Sequence, residues 1–186
     1  MGAFGDLTWS PDSQWLAYTR DADNTYPQIW IYGLKTSTAT ALTSDRVSSS
    51  SPVWSPDGKW IYFLSDRHLE SAVPSPWGLR EPEPYFDLPV VLYHVPLVKE
   101  HRSPFAPLDE LHPPPTKDKK KTEDETNAVP SVAIDLAGIQ NRVQAVPIPP
   151  GNYRNLSMSA KRLFLLVTGS GLEGRTNVSL RPKANG

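Results

Sequence analysis

Trp9-Ser10-Pro11-Asp12-Ser13-Gln14-Trp15 returns as Trp54-Ser55-Pro56-Asp57-Gly58-Lys59-Trp60, displaced by 45 residues and identical at five of its seven positions. Asp21 and Asp66 keep the same register. Self-similarity at such a period marks a repeat architecture, in which each unit is one supersecondary module that hides its apolar faces against its neighbours. A fainter third copy is read at Leu156-Ser157-Met158-Ser159-Ala160-Lys161-Arg162-Leu163, where Lys161 matches Lys59 and Leu163-Phe164-Leu165 follows as Ile61-Tyr62-Phe63 does. It lacks the Trp, Pro and Asp of the other two.

Each copy is built as two strands joined by a tight turn. Pro11 and Pro56 preset φ near −65°, and Asp12 and Asp57 can accept hydrogen bonds from nearby backbone amides. Gly58 tolerates positive φ without a Cβ clash, whereas Ser13 stands in its place in the first copy. The runs that follow, Trp15-Leu16-Ala17-Tyr18-Thr19 and Trp60-Ile61-Tyr62-Phe63-Leu64, are too apolar for strands with one wet face and predict sheets covered on both sides. Gln28 to Tyr32 adds a third strand and Thr40 to Thr43 a fourth. Four strands in about 45 residues make one propeller blade.

The expected fold is therefore all-β, a partial β-propeller of four-stranded antiparallel blades of the WD40-like kind. Residues 1–45 form one blade, and 46–99 the first three strands of a second. A Pro-rich, charged, disordered insertion occupies 100–128; residues 129–152 complete the second blade, and 153–186 begin a third. The repeat signature is Trp9, Ser10, Pro11, Asp12 and Trp15, then Trp54, Ser55, Pro56, Asp57, Gly58 and Trp60. Trp9 and Trp54 are expected to pack between blades. Val90 to Val95 should form a strand before the insertion, with Val132 to Leu136 and Val143 to Pro147 resuming the sheet after it. In the insertion, Lys119-Lys120-Lys121 is balanced by Glu123, Asp124 and Glu125, which suits a solvated loop better than a nucleic-acid signal.

Composition narrows the function classes. The 186 residues carry a formal net charge of −1, so no overall field recommends nucleic acid or an anionic membrane as partner. With no cysteine, a thiolate metal cage, a disulfide framework and a cysteine nucleophile are all closed. Apolar runs such as Leu163 to Val167 fall far below the roughly 18–20 residues of a membrane-spanning helix. Twenty prolines with six Trp and seven Tyr suit a turn-rich β protein with a core.

The constellations that could carry chemistry are sparse. A nucleophilic triad needs a Ser beside a His oriented by an acid, and no Ser here lies in a Gly-x-Ser-x-Gly elbow. His68, His94, His101 and His112 are expected as scattered surface side chains, with no spacing that gathers them with Glu70, Glu100 or Asp109 around a metal. A Ser–His pair in bonding contact within this stretch would overturn the expectation that the reactive machinery lies elsewhere. Gly169-Ser170-Gly171-Leu172-Glu173-Gly174 satisfies G-x-G-x-x-G, but Asn177 to Pro182 predicts a strand where a dinucleotide site needs a helix. The expectation is a glycine-rich hairpin loop, with no catalytic residue, cofactor or metal in this chain.

The paired Trp-Ser-Pro-Asp turns resemble the propeller repeats of tricorn-type proteases, TolB-like proteins and prolyl-oligopeptidase relatives. Ser103-Pro104-Phe105-Ala106-Pro107-Leu108-Asp109-Glu110 and the passage from Ile134 through Gly138, Arg142 and Pro150 to Tyr153 are similar to connecting segments of the tricorn protease family's second propeller. That resemblance implies a parent larger than this chain: a cytoplasmic serine peptidase that trims oligopeptides, with two propellers, a PDZ-like domain and an α/β catalytic region. It implies as partners the remaining blades, the catalytic region, peptide substrates and further copies of the parent. It carries no catalytic residue onto this sequence. The alternatives are a TolB-like binding scaffold with no enzymatic role and the propeller of a prolyl-oligopeptidase-type hydrolase. Standing alone, two to three blades should be marginal or aggregation-prone, because a propeller closes with about four to eight.

Overall fold

Ser10 and Ser55 close the two repeat turns in the same way, and each turn reverses the chain between antiparallel strands. The computed structural model describes residues 4–69, 88–107, 129–160, 162–169 and 175–180. The first sheet contains β1 (Phe4–Trp9), β2 (Trp15–Asp21), β3 (Pro27–Gly33) and β4 (Thr38–Ala41), in that spatial order. The second contains β5 (Ser49–Trp54), β6 (Trp60–Ser65), β7 (Val91–Pro96) and the two-residue β8 (Gln144–Ala145), again in chain order. The third has β9 (Tyr153–Met158), β10 (Leu163–Thr168) and β11 (Arg175–Leu180), with β10 central. All pairings are antiparallel, and among the described residues the longest helical segment is a four-residue 3-10 turn at Ile139–Arg142. This is a partial propeller.

The first strand of each sheet lies beside the first strand of the next, β1 against β5 and β5 against β9. Radial stacking follows, and strand periodicity divides the side chains between two seams. Ala17, Ile29, Ile31 and Leu42 from the first sheet meet Trp54, Ile61, Phe63 and Val95 from the second. On the opposite face of the second sheet, Trp60, Tyr62, Leu64 and Leu92 meet Leu156, Leu163 and Leu165 of the third. All of β6 is buried, as a strand covered on both faces must be. Each large side chain so enclosed contributes roughly 1.5–3 kcal/mol, so the seams hold the blades together.

Several expectations need correction. Val132 to Leu136 forms no strand; it runs as extended chain outside the ladder. The Asp135 amide donates to Leu97 O at 2.8 Å, and Asp135 Oδ2 accepts the Lys99 amide at 3.1 Å. From Val143 to Pro147 only Gln144 and Ala145 pair in the sheet, opposite His94 and Tyr93. Residues 100–107 are folded, not disordered: the His101 amide donates to Val98 O, the Ala106 amide donates to Ser103 O, and Ser103 is buried. The Lys-rich stretch, Glu70, Asp109 and His112 lie outside the described residues.

A shared irregularity of the inner strands was not anticipated. Each pairing register slips within β1, β5 and β9, and at each slip a non-glycine residue has left-handed backbone: Asp6 (φ 49°), Ser51 (φ 54°) and Asn155 (φ 52°). Each stands three residues before the last residue of its strand, Trp9, Trp54 or Met158. These are β-bulges repeated at one position of every blade, where they bend and twist the inner strand. Asn and Asp tolerate this region better than most side chains, Ser less readily.

Candidate functional site

The repeat turns show why Ser, Pro and Asp recur together. In the first, Ser10 Oγ donates to Asp12 Oδ1 at 2.6 Å and accepts the Trp15 amide at 2.9 Å, while Asp12 Oδ1 also accepts the Gln14 amide. In the second, Ser55 Oγ donates to Asp57 Oδ1 at 2.5 Å and accepts the Trp60 amide at 2.9 Å, with the Lys59 amide on Asp57 Oδ1. The backbone closes each turn as well, Ser10 N to Trp15 O and Ser55 N to Trp60 O. Side-chain oxygens thus satisfy amides that the reversal removes from the ladder.

The third turn has the same start and a shorter path. Ser159 N donates to Arg162 O at 2.8 Å, and the Arg162 amide donates back to Ser159 Oγ at 3.2 Å. Ser159, not Ser157, therefore occupies the place of Ser55, and the turn is two residues shorter. Pro and Asp have no room there, which accounts for their loss from the sequence.

What the turns hold is a second segment of the chain. The Val132 amide donates to the free oxygen of Asp12, Oδ2, at 2.9 Å across 120 residues. The Val132 side chain lies against the other turn, where a Cβ on Gly58 would come within 2.8 Å of Val132 Cγ2. Gly58 has φ 69° and Ser13 has φ 56°, so both turns use the left-handed region, and Gly58 is in addition pressed by Val132. Burial works against the charge of Asp12; the Ser10 hydroxyl and the Val132 and Gln14 amides outweigh it and hold its carboxyl below the usual range. A cleft of about 210 Å³ opens beside this junction, between Trp15, Lys35 and Ser131. It is below the roughly 300 Å³ at which small-molecule sites begin.

Trp54 is buried and its Nε1 donates to Thr8 O of the neighbouring blade at 3.1 Å, so it packs between blades. Its counterpart Trp9 does not: among the described residues no sheet covers its side of the first blade, and Trp9 is exposed. Trp60 lies in the second seam, while Trp15 is half-buried against the first.

A Ser–His contact is present, contrary to expectation. Ser103 Oγ lies 2.8 Å from His94 Nε2, and His94 is fully buried rather than on the surface. Its ring sits among Trp60, Tyr62 and Phe105 at centroid distances of 5.2, 5.7 and 5.5 Å. Burial pushes the imidazole down to about 4, so it is neutral at pH 7. Nδ1 has no hydrogen-bond partner, so no carboxylate orients the ring as a triad requires. Ser103 Oγ also accepts the Phe105 amide at 3.2 Å. The pair fastens the segment before Phe105 onto the second seam, with Ser103 buried. A polar residue inside the otherwise apolar pattern of β7 is the signal that marks His94 in the sequence.

Among the described residues, no group of three or more His, Asp or Glu is placed to hold a metal, and no helix is long and apolar enough to cross a membrane. Strand β10 pairs antiparallel with β11 from Leu163–Leu180 to Thr168–Arg175, so the glycine-rich segment joins two strands and no helix follows it.

A family profile described as the tricorn protease second beta propeller domain matches residues 1–181. Two relatives from Streptomyces coelicolor, tricorn protease homolog 1 and putative tricorn protease homolog 2, are each 28% identical over 159 residues, covering 83% of this chain. The chain spans only 14% and 13% of their lengths. The crystal structure of the tricorn protease superposes with a TM-score of 0.68 at 18% identity, over 97% of this chain and 17% of that one. At that identity the likeness speaks for the fold.

Proposed function

The chain belongs to the tricorn protease second beta propeller family, and from that premise we propose that it is the non-catalytic propeller portion of a tricorn-like serine peptidase. The parent trims oligopeptides in the cytoplasm, and these blades gate peptide passage to the catalytic region and support assembly of the parent with further copies of itself. The observation that carries the reading is the family match across residues 1–181. The exposed polar side chains of Asp6, Arg154 and Asn155 on the inner strands suit a wall along which extended peptides slide without adhering. The hydrolytic step is assigned to the catalytic region of the parent, since the contact between Ser103 and His94 is buried and no acid orients the imidazole.

Peptidase assays on the intact parent, with and without these blades, test the gating role. Removal is expected to widen the range of peptide lengths cleaved while leaving hydrolysis of the shortest peptides intact. An unchanged length preference removes the proposal.

A further inference from the structure

We infer that residues 100–107 form an acid-released strap over the second seam, closed by the contact between Ser103 and His94 and opened when the His94 imidazole takes up a proton. The inference rests on the geometry of the seam and not on the peptidase reading. The root of the strap is fixed just past β7, where the Leu97 amide donates to Lys59 O at 3.0 Å and the Lys99 amide to Asp135 Oδ2 at 3.1 Å. Beyond it the backbone folds on itself, with His101 N donating to Val98 O, Ala106 N to Ser103 O and Phe105 N to Ser103 Oγ. Side chains seat the strap on the second blade, without strand pairing among the described residues. The buried Ser103 hydroxyl lies 2.8 Å from His94 Nε2, and the Phe105 ring stands edge-on to Tyr62 at 6.4 Å and to His94 at 5.5 Å.

Of the two partners the imidazole is the one that cannot move. His94 lies inside the ladder, opposite Tyr62 of β6 and Gln144 of β8, so its ring leaves the seam only if strand pairing is undone. Its Nδ1 is buried without a hydrogen-bond partner, whichever tautomer the neutral ring adopts. A proton that makes both ring nitrogens donors therefore places a positive charge and an unmatched N–H among Trp60, Tyr62 and Phe105. The groups packed around it do not offset that charge. On β6, burial and then Asp57 push the Tyr62 hydroxyl up, so it stays neutral. The strap brings a second imidazole, His101, 6.0 Å from the Trp60 ring. The third sheet offers Leu156, Leu163 and Leu165, with Tyr153 at the margin. Burial is what lowers the pKa of His94, and no carboxylate works against it. Lifting the strap admits water to the ring while the pairing of β6 with β7 survives.

Hydrogen exchange of the whole chain at pH 7 and pH 5 tests the strap, read as protection factors so that the intrinsic pH dependence of exchange divides out. The His101, Phe105 and Ala106 amides are expected to be less protected than those of Ile61 to Leu64 by about tenfold or more at both values, because the strap opens without unfolding the sheet. Their protection is expected to fall about twentyfold from pH 7 to pH 5, the ratio for one group that titrates near 4 when covered and near 6.5 when wet. His94→Phe should abolish that fall, and His101→Phe should leave it. Equal protection of strap and β6 amides overturns the proposal, since the strap then opens only with the whole sheet. Strap protection that does not change with pH, or a fall that His101→Phe removes, overturns it as well. Should His94→Phe not fold, Ser103→Ala is expected to lower strap protection several-fold at both pH values and to keep the twentyfold ratio. A strap indifferent to Ser103→Ala counts against the proposal, because the contact then holds nothing.

Discussion

The Ser51 amide donates to Asp6 Oδ2 at 2.8 Å, and the two residues occupy the same bulge position in successive blades, each with left-handed backbone. One blade's irregularity is thus fastened by the side chain of the blade before it. Asp6→Ala is expected to lower stability by about 1–2 kcal/mol, through the lost charge-assisted bond and the poorer tolerance of φ near 50°. Asp6→Asn, which keeps an oxygen and tolerates that backbone, should lose less than half as much in urea titration. Equal losses would show that the inter-blade bond is not the source.

The two tryptophans of the repeat should respond unequally. Trp54 fills the first seam and Trp9 stands in solvent. Trp54→Ala is expected to cost about 3–5 kcal/mol, whereas Trp9→Ala stays within about 1 kcal/mol. Thermal unfolding of the two variants side by side checks the contrast, and parity between them would contradict the seam assignment.

At the repeat turns the opposite signs are expected for two substitutions at the same position. Ser13→Gly relieves a left-handed serine that is exposed and should stabilise by about 0.5–1 kcal/mol. Gly58→Ala introduces both the positive-φ penalty and a 2.8 Å approach to Val132 Cγ2, and should destabilise by about 2 kcal/mol or more. Pairing Gly58→Ala with Val132→Ala separates the terms, since only the steric part is recovered.

His94 makes stability depend on pH. Its pKa is held near 4 in the folded chain, below the ordinary 6.5, so between those values the unfolded chain binds more protons. Stability is whole above about pH 6.5 and is lost as the pH falls toward 4, by a total on the order of 3 kcal/mol. Asp12, whose carboxyl is lowered, adds a further loss only below the ordinary carboxylate range. Urea unfolding of His94→Phe between pH 7 and 4.5 should show a flatter profile than the parent sequence. An unchanged slope would mean that the imidazole takes up its proton without leaving the seam.

The turn chemistry of Ser10-Pro11-Asp12 and Ser55-Pro56-Asp57, the strands that flank it and the double-sided burial of Trp60 to Leu64 were all legible in the chain. Each depends on neighbours within a few residues: Pro presets φ, Ser and Asp bond amides two to five positions away, and an unbroken apolar run demands cover on both faces. Their return after 45 residues then implied stacking.

Contacts between distant segments were decided by the tertiary structure. Nothing local in Val132 to Leu136 says that it leaves the ladder to lie between the Asp12 and Gly58 turns, because its partner amide bond spans 120 residues. Nothing local in His94 and Ser103 announces that they meet inside the second seam, nor in Trp9 and Trp54 that one is wet and the other dry. Hydrogen bonding within a turn is set by the rotations of a few adjacent bonds, whereas burial depends on which surface arrives from elsewhere, and that is known only once the blades are stacked.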